Sequence, residues 1–350
     1  MTPEIIAHRG ASYLAPENTL TAFRKAVEIG ADGVEMDVQQ TVDAGLVIHH
    51  DYIIDLHTDI SGKIYDMTMF ELRDLDFGSW KDAIFKDEKI ATLHEALQLC
   101  HDLGEITVQL ELKATVDNDP DFVPRVLAEI RDTQMVDRVI LISFNHDLLR
   151  QAKQLEPQLR VGALVYGAVE SMLFPPQFWD LTGIASNWQE ENGLEEPEQL
   201  PDTVTPEELN AENSSQMTRW LTDKVSMLRA SFPGESLQEI YNHLQQQRDP
   251  ADYAAGLDFK LDYISCEYHT AYSNPTFVQR LHRMGIKVAL WTVDTQDAVD
   301  WLLTVEPDAF VTNRPDRVRE WMEKAQTTAP DPADSPETTD SPETTDTPAE

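Results

Sequence analysis

Residues 263–312 read YISCEYHTAYSNPTFVQRLHRMGIKVALWTVDTQDAVDWLLTVEPDAFVT. Strand-like runs at Tyr263–Cys266, Lys287–Trp291 and Ala309–Val311 alternate with helical spacing over Pro275–Arg283 and Gln296–Leu303. Connections this long, with a helix in each, suit parallel strands joined by crossovers rather than hairpins. The same rhythm runs back to the N-terminus. Ile5–Ala7 is a short apolar run; Asn18 or Thr19 caps a helix with Leu20, Phe23 and Val27 on one face, and Gly30 ends it. Strands are expected at Gly33–Val38, Leu46–His49, Ile106–Leu112, Val139–Ser143 and Val161–Val165. Helices are expected from the Thr92–Glu95 capping box through Leu99, over Phe122–Arg131, and from His146 and Pro315. About eight such units predict an α/β fold, a closed (β/α)8 TIM barrel. No glycine-rich loop follows the first strand to support an open doubly wound sheet.

Two segments break the alternation: residues 52–90 after the second barrel strand, and a long acidic stretch, 167–259, after the fifth. The long one carries a capping box at Thr205–Glu208 and amphipathic spacing at Trp220, Leu221, Val225 and Leu228. It reads as an insertion packing on itself, or as a lid over the active face. Residues 1–325 are expected to form one domain. Residues 326–350 repeat Ser-Pro-Glu-Thr-Thr-Asp and hold no apolar residue larger than Ala, so a disordered tail is expected.

The chain sets 27 Lys and Arg against 63 Asp and Glu, a net charge of −36. That excludes sequence-independent nucleic-acid binding, which relies on clustered basic groups. No apolar run is long enough to cross a membrane. Cys100 and Cys266 match no metal spacing and read as buried free thiols; with no secretory signal at Met1–Ile5, a cytoplasmic location is expected.

The chemistry is expected at the strand ends. His8-Arg9-Gly10 closes the first strand, offering a proton-transfer group, a two-donor phosphate ligand and a turn residue. Glu35 and Asp37 share one face of a strand and would repel unless a cation lies between them; oxygen ligands favour Mg²⁺ or Ca²⁺. Glu111 and Lys113 share a face on the next parallel strand, where Glu111 completes a three-carboxylate site and Lys113 faces a phosphate oxygen. The plainer readings are salt bridges from Glu35 and Asp37 to neighbouring Arg or Lys, and an ion pair between Glu111 and Lys113 within their strand. Of His49 and His50, only one can point into the site, and His50 is chosen. His94, His101, His146, His243 and His282 read as structural. Together the groups suit metal-assisted phosphodiester cleavage, with one imidazole accepting a proton and the other donating one.

In order along the chain stand Ile6-Ala7-His8-Arg9-Gly10, Pro16-Glu17-Asn18-Thr19, Gly30–Val38, His50-Asp51, Leu75–Trp80, Thr92–Leu97, Leu110–Lys113, Ser143-Phe144, Trp291-Thr292-Val293 and Thr312–Asp316. This set, from residue 5 to about 317, resembles the glycerophosphodiester phosphodiesterases. The resemblance implies a (β/α)8 barrel with a small insertion at 52–90. It implies His8 and His50 as the acid/base pair, and Glu35, Asp37 and Glu111 as ligands of one Mg²⁺ or Ca²⁺. Arg9 and Lys113 would bind phosphate, and the products would be sn-glycerol 3-phosphate and an alcohol. Asp43-Ala44-Gly45 carries one residue more than the family's turn, and Leu56-His57-Thr58 stands where the family places an Arg. Two other readings are a lysophospholipase D-like activity at the same site, and a non-catalytic barrel whose insertion or tail recruits a protein.

Overall fold

Side chains alternate along a strand, so a parallel strand covered by helices outside and packed with side chains inside must be apolar on nearly every position. The barrel strands meet that demand. In the computed structural model, which describes residues 2–113, 119–167 and 243–328, β1 (Glu4–Ala7), β2 (Gly33–Gln40), β5 (Thr107–Leu112), β6 (Val139–Ser143), β7 (Arg160–Val165), β8 (Tyr263–Glu267), β9 (Lys287–Trp291) and β10 (Ala309–Thr312) are parallel neighbours in that order. β10 pairs back onto β1, closing the barrel. The short strands β3 (Leu46–Ile48) and β4 (Ala91–Thr92) continue antiparallel from the far end of β2, outside the closed ring.

Helices fill the crossovers: α1 (Leu20–Glu28), α3 (Leu93–Asp102), α4 (Phe122–Asp132), α5 (His146–Leu155), α6 (Pro250–Gly256), the pair α7 (His269–Ser273) and α8 (Phe277–Arg283), α9 (Gln296–Leu302) and α10 (Pro315–Thr328). Outward side chains such as Ile5, Val34, Met36, Val108 and Leu110 pack with Phe23, Phe122, Phe277 and Phe310 in the shell between barrel and helices. The inside of the barrel holds Ile6, Ala289, Ala309 and Val311 on one side and Ile140, Ile142, Leu164 and Tyr263 on the other, with Trp291 against both groups.

Residues 52–90 form a small lobe with α2 (Met69–Asp74), where Val47, Ile54, Ile64, Leu72, Phe77 and Ile90 make a separate core. The long insertion ends earlier than expected. Residues 243–259 are barrel wall: α6 is the helical partner of β7, capped by Asp249 and burying Ala251 and Ala254. Polar Asp249 and Asp252 around two alanines hide this helix from a periodicity reading. The remainder of the insertion, 168–242, lies outside the described residues, as do its expected capping box and the Trp220 stretch. So does the tail beyond Thr328, while the backbone of α10 runs three residues into the tail expected from 326. No helix among the described residues is long and apolar enough to cross a membrane. Cys100 and Cys266 are buried free thiols.

Helix α3 begins with a reciprocal cap. Thr92 Oγ1 accepts from the Glu95 N–H (3.1 Å), and Glu95 Oε2 accepts from the Thr92 N–H (2.9 Å). Thr92→Ala removes one half and frees the other, so unfolding in urea should show a loss of about 1 kcal/mol with an unchanged slope.

His146 is a second structural element with a testable signature. Its Nε2 faces the Leu164 carbonyl at 3.0 Å, which can only accept, so Nε2 carries the proton and Nδ1 accepts from the Tyr253 hydroxyl at 2.6 Å. Burial pushes this imidazole down to about 4 from 6.5. The unfolded chain therefore binds the proton first on acidification. Stability from this group is complete above about 6.5 and is lost as pH falls toward 4. Wild-type protein should lose on the order of 2 kcal/mol from His146 between pH 7 and pH 5, a loss that His146→Gln removes in urea titrations at the two pH values.

Candidate active site

β2 and β5 pair in register with Asp37 opposite Glu111 and Glu35 opposite Gln109. Because alternate residues face inward, this register brings Glu35, Asp37 and Glu111 to the same end of the barrel interior. One oxygen of each lies within 4.8 Å of the others, and all three side chains are buried. Lys113, one step beyond β5 on the same face, sets its Nζ 2.7 Å from Glu111 Oε1 and 3.1 Å from Asp37 Oδ1. Burial raises the Glu35 carboxyl well above the usual range, and the charges of Asp37 and Glu111 add to it. Burial also raises Glu111, to about 7, against the pull of Lys113. Asp37 goes the other way: burial is outweighed by Lys113, His50 and Arg9, which hold it well below the usual carboxylate range. The cluster is short of positive charge, and its all-oxygen donor set fits a hard divalent cation such as Mg²⁺ or Ca²⁺.

The β1–α1 loop wraps around this cluster. Arg9 sits at φ +58° and Gly10 at φ +79°. A Cβ on Gly10 would come within 2.7 Å of the Ala22 backbone, so only glycine fits the turn. The turn aims the Arg9 N–H at Glu35 Oε2 (2.9 Å) and brings its guanidinium to Glu17 (2.7 Å) and toward Asp37 (3.7 Å). Asn18 donates to Asp37 Oδ2 at 2.7 Å.

His8 follows β1, and its Nε2 lies 4.0 Å from Glu35 Oε2. Its Nδ1 lies 2.7 Å from Asn313 Oδ1. The Asn313 amide nitrogen donates to Asp294 Oδ2 (2.6 Å), so the amide oxygen must face the imidazole. Nδ1 of His8 therefore carries the proton and Nε2 is left as a base. Burial and then Arg9 push this imidazole down to about 3.

His50 lies past the end of β3, where the backbone bends, so its Nδ1 reaches its own neighbour Asp51 at 2.7 Å. In a regular strand that contact would not form. Gln39 fixes the bend by donating from one amide to the carbonyls of His49, His50 and Asp51 (2.8, 3.1 and 2.8 Å). Burial, Arg9 and Lys113 lower the His50 pKa, while Asp37 and Asp51 pull it back up. His49 is turned away, packed edge-on to His57 and Phe77. His57, standing where the related pattern has an Arg, lies 3.6 Å from Asp51 and 3.9 Å from Glu17.

All seven groups picked out in the sequence thus converge on one end of the barrel. What sequence reasoning missed is the supporting layer: Gln39, Asp294 and the oxygen-side role of Asn313. Glu17, Asn18 and Asn313 stood inside quoted motifs, and their role emerges only from their contacts; Asp51 is legible in the sequence as a group that could orient the imidazole before it, a contact that the bend at His50 allows.

Comparison with known proteins bears on the family and the fold. The pattern of the glycerophosphoryl diester phosphodiesterase family matches residues 8–175 and 211–317. A glycerophosphodiester phosphodiesterase of Caldanaerobacter subterraneus subsp. tengcongensis is 40% identical over 160 residues, covering 46% of this chain and 65% of that protein. The chain thus matches less than two thirds of that curated relative's length. Among solved structures, a phosphodiesterase of Oleispira antarctica in complex with the product sn-glycerol-3-phosphate superposes with a TM-score of 0.62 at 23% identity, covering 92% of this chain and 97% of that one. A putative glycerophosphoryl diester phosphodiesterase from Silicibacter pomeroyi gives 0.63 at 21% identity, covering 93% and 94%. At these identities the structures speak for the fold. With the family pattern spanning both halves of the barrel, the chain belongs to the glycerophosphoryl diester phosphodiesterase family, a family of hydrolases.

Proposed function

We propose that this chain hydrolyses glycerophosphodiesters to sn-glycerol 3-phosphate and an alcohol. The observation that carries the reading is the convergence of Glu35, Asp37 and Glu111 with two imidazoles and two cations at one barrel end, in a chain of this family. Glu35, Asp37 and Glu111 would hold one Mg²⁺ or Ca²⁺. When bound, such an ion supplies a positive charge that stabilises developing negative charge on phosphoryl oxygens. Arg9 and Lys113 add fixed positive charge for the same oxygens.

The two histidines divide the proton work by their partners. His8, held through Nδ1 by a neutral amide, presents an unprotonated Nε2 and accepts the proton of the attacking oxygen as it bonds to phosphorus, either water directly or the neighbouring glycerol hydroxyl, whose cyclic phosphate water then opens. His50, held through Nδ1 by the Asp51 carboxylate, is the one whose imidazolium has an anionic partner. It gives its proton to the departing alkoxide as the bond from phosphorus to that oxygen breaks. Asp294 and Asn313 position His8; Gln39 and Asp51 position His50.

Glycerol 3-phosphate release from glycerophosphoethanolamine should stop in excess chelator and return with Mg²⁺ or Ca²⁺. Calorimetric titration of the chelated protein should show a divalent site that Glu35→Gln removes. Undiminished release in chelator, from protein shown free of metal, would rule out the metal role.

His8→Ala and His50→Ala should each lower kcat by ~10²–10⁴-fold, with melting temperatures near that of the wild type. Near-normal turnover in both variants overturns the acid/base assignment.

A further inference from the structure

The loop from β1 to α1 carries His8 and Arg9, and two of its residues, Arg9 and Asn18, hold left-handed backbone at φ +58°. Strained backbone persists only where its surroundings over-determine it. Part of that determination comes from outside the barrel, from the lobe at 52–90. Lys81 Nζ donates to the Ser12 carbonyl at 2.8 Å. Glu88 accepts from the Thr21 hydroxyl at 2.8 Å, in the first turn of α1. Lys81 is itself held in place. Trp80 beside it donates from Nε1 to the Phe77 carbonyl (2.9 Å), and Phe77 lies in the core of the lobe. Asp76 accepts from the N–H groups of Gly78, Ser79 and Asp87 (2.8, 2.9 and 3.0 Å), and a Cβ on Gly78 would run into the Phe85 carbonyl.

Ser12 carries this hold toward the imidazole. It is buried, and its Oγ donates to Asn313 Oδ1 at 3.0 Å. That oxygen also receives the Nδ1 proton of His8, at 2.7 Å. An amide oxygen has two lone pairs, and these two donors take both. The direction left for His8 therefore depends on where Ser12 stands. The two loops are fastened alongside this contact: the Tyr13 N–H donates to the Asn313 carbonyl at 3.3 Å, and the Arg314 guanidinium lies over the Tyr13 ring at 3.8 Å. Asp294 settles which end of the Asn313 amide faces His8, and Ser12 settles the angle at which it does.

We propose that Lys81 and Ser12 are positioning residues for His8, so that the lobe at 52–90 acts in turnover by aiming the base. This rests on the hydrolase reading above and deepens it.

Lys81→Met keeps the length of the side chain and removes the donor; Ser12→Ala removes the hydroxyl. Each should lower kcat for glycerophosphoethanolamine about tenfold, the order of one hydrogen bond lost in the transition state. KM should stay nearly unchanged and the melting temperature near that of the wild type. Lys81→Arg, which still donates, should recover most of kcat. The double variant should lose little more than either single one, because both act through the seat of Ser12. Unchanged kcat in either single variant, or full additivity in the pair, overturns the relay. A raised KM with kcat intact in Lys81→Met would make Lys81 a substrate contact and overturns it too.

NMR of protein labelled with ¹⁵N-histidine reads the same contact without turnover. The Nδ1–H resonance of His8 is the one missing from His8→Ala. It should move or broaden in Lys81→Met and in Ser12→Ala, and return in Lys81→Arg. A merely structural role would lower the melting temperature and leave this resonance where it is, and a resonance unmoved in either variant overturns the positioning role. A wild type that turns over no diester overturns the hydrolase reading instead, and the NMR comparison still decides whether the lobe holds His8.

Discussion

Three carboxylates buried within 4.8 Å of one another govern the architecture around them. Like charges so close do not all ionise in a dry interior unless cations offset them. The fold supplies two, Lys113 one step past the strand that carries Glu111 and Arg9 from the β1–α1 loop, and the remaining charge is what a divalent cation held by the three carboxylates would balance. The left-handed backbone at Arg9 and Asn18, and the glycine beside Arg9, follow from this requirement. Each bends the loop so that a donor faces Glu35 or Asp37. Strain of this kind persists where the surrounding contacts over-determine it.

A second constraint acts on the two imidazoles. Both are buried among charges, yet their Nδ1 partners differ: the Asn313 amide for His8 and the Asp51 carboxylate for His50. An amide oxygen fixes the tautomer and favours the imidazolium only weakly, whereas a carboxylate fixes it and adds a full counter-charge. The asymmetry that the proposed acid/base pair requires would therefore be set one layer out. Asp294 dictates which end of the Asn313 amide faces His8, and Gln39 holds the bend that lets adjacent His50 and Asp51 meet.

The barrel was legible because its strands announce themselves twice, as apolar runs on the outward positions and as polar exceptions on the inward ones. Glu35, Asp37, Glu111 and Lys113 could be read because strand alternation is a local rule: the residue number alone gives the face. His8 could be read because it ends the first strand; alternation said that only one of His49 and His50 could face inward but not which, and His50 itself lies past the strand. What could not be read depends on contacts between distant segments. Asn313 meets His8 across 305 positions. Helix α6 went unread because its buried face is two alanines, whose small apolar surface leaves little period to detect.

The charge lining the barrel mouth bears on how so acidic a chain would meet an anionic diester. With a net charge of −36, the surface repels anions at long range. At physiological ionic strength that field decays over about 8 Å, so what decides entry is the charge lining the mouth itself. There the positive groups are buried and pointed at one place, with carboxylates around them, and a simple phosphate monoanion gains little on approach. A diester whose head group carries an ammonium has no net charge to repel.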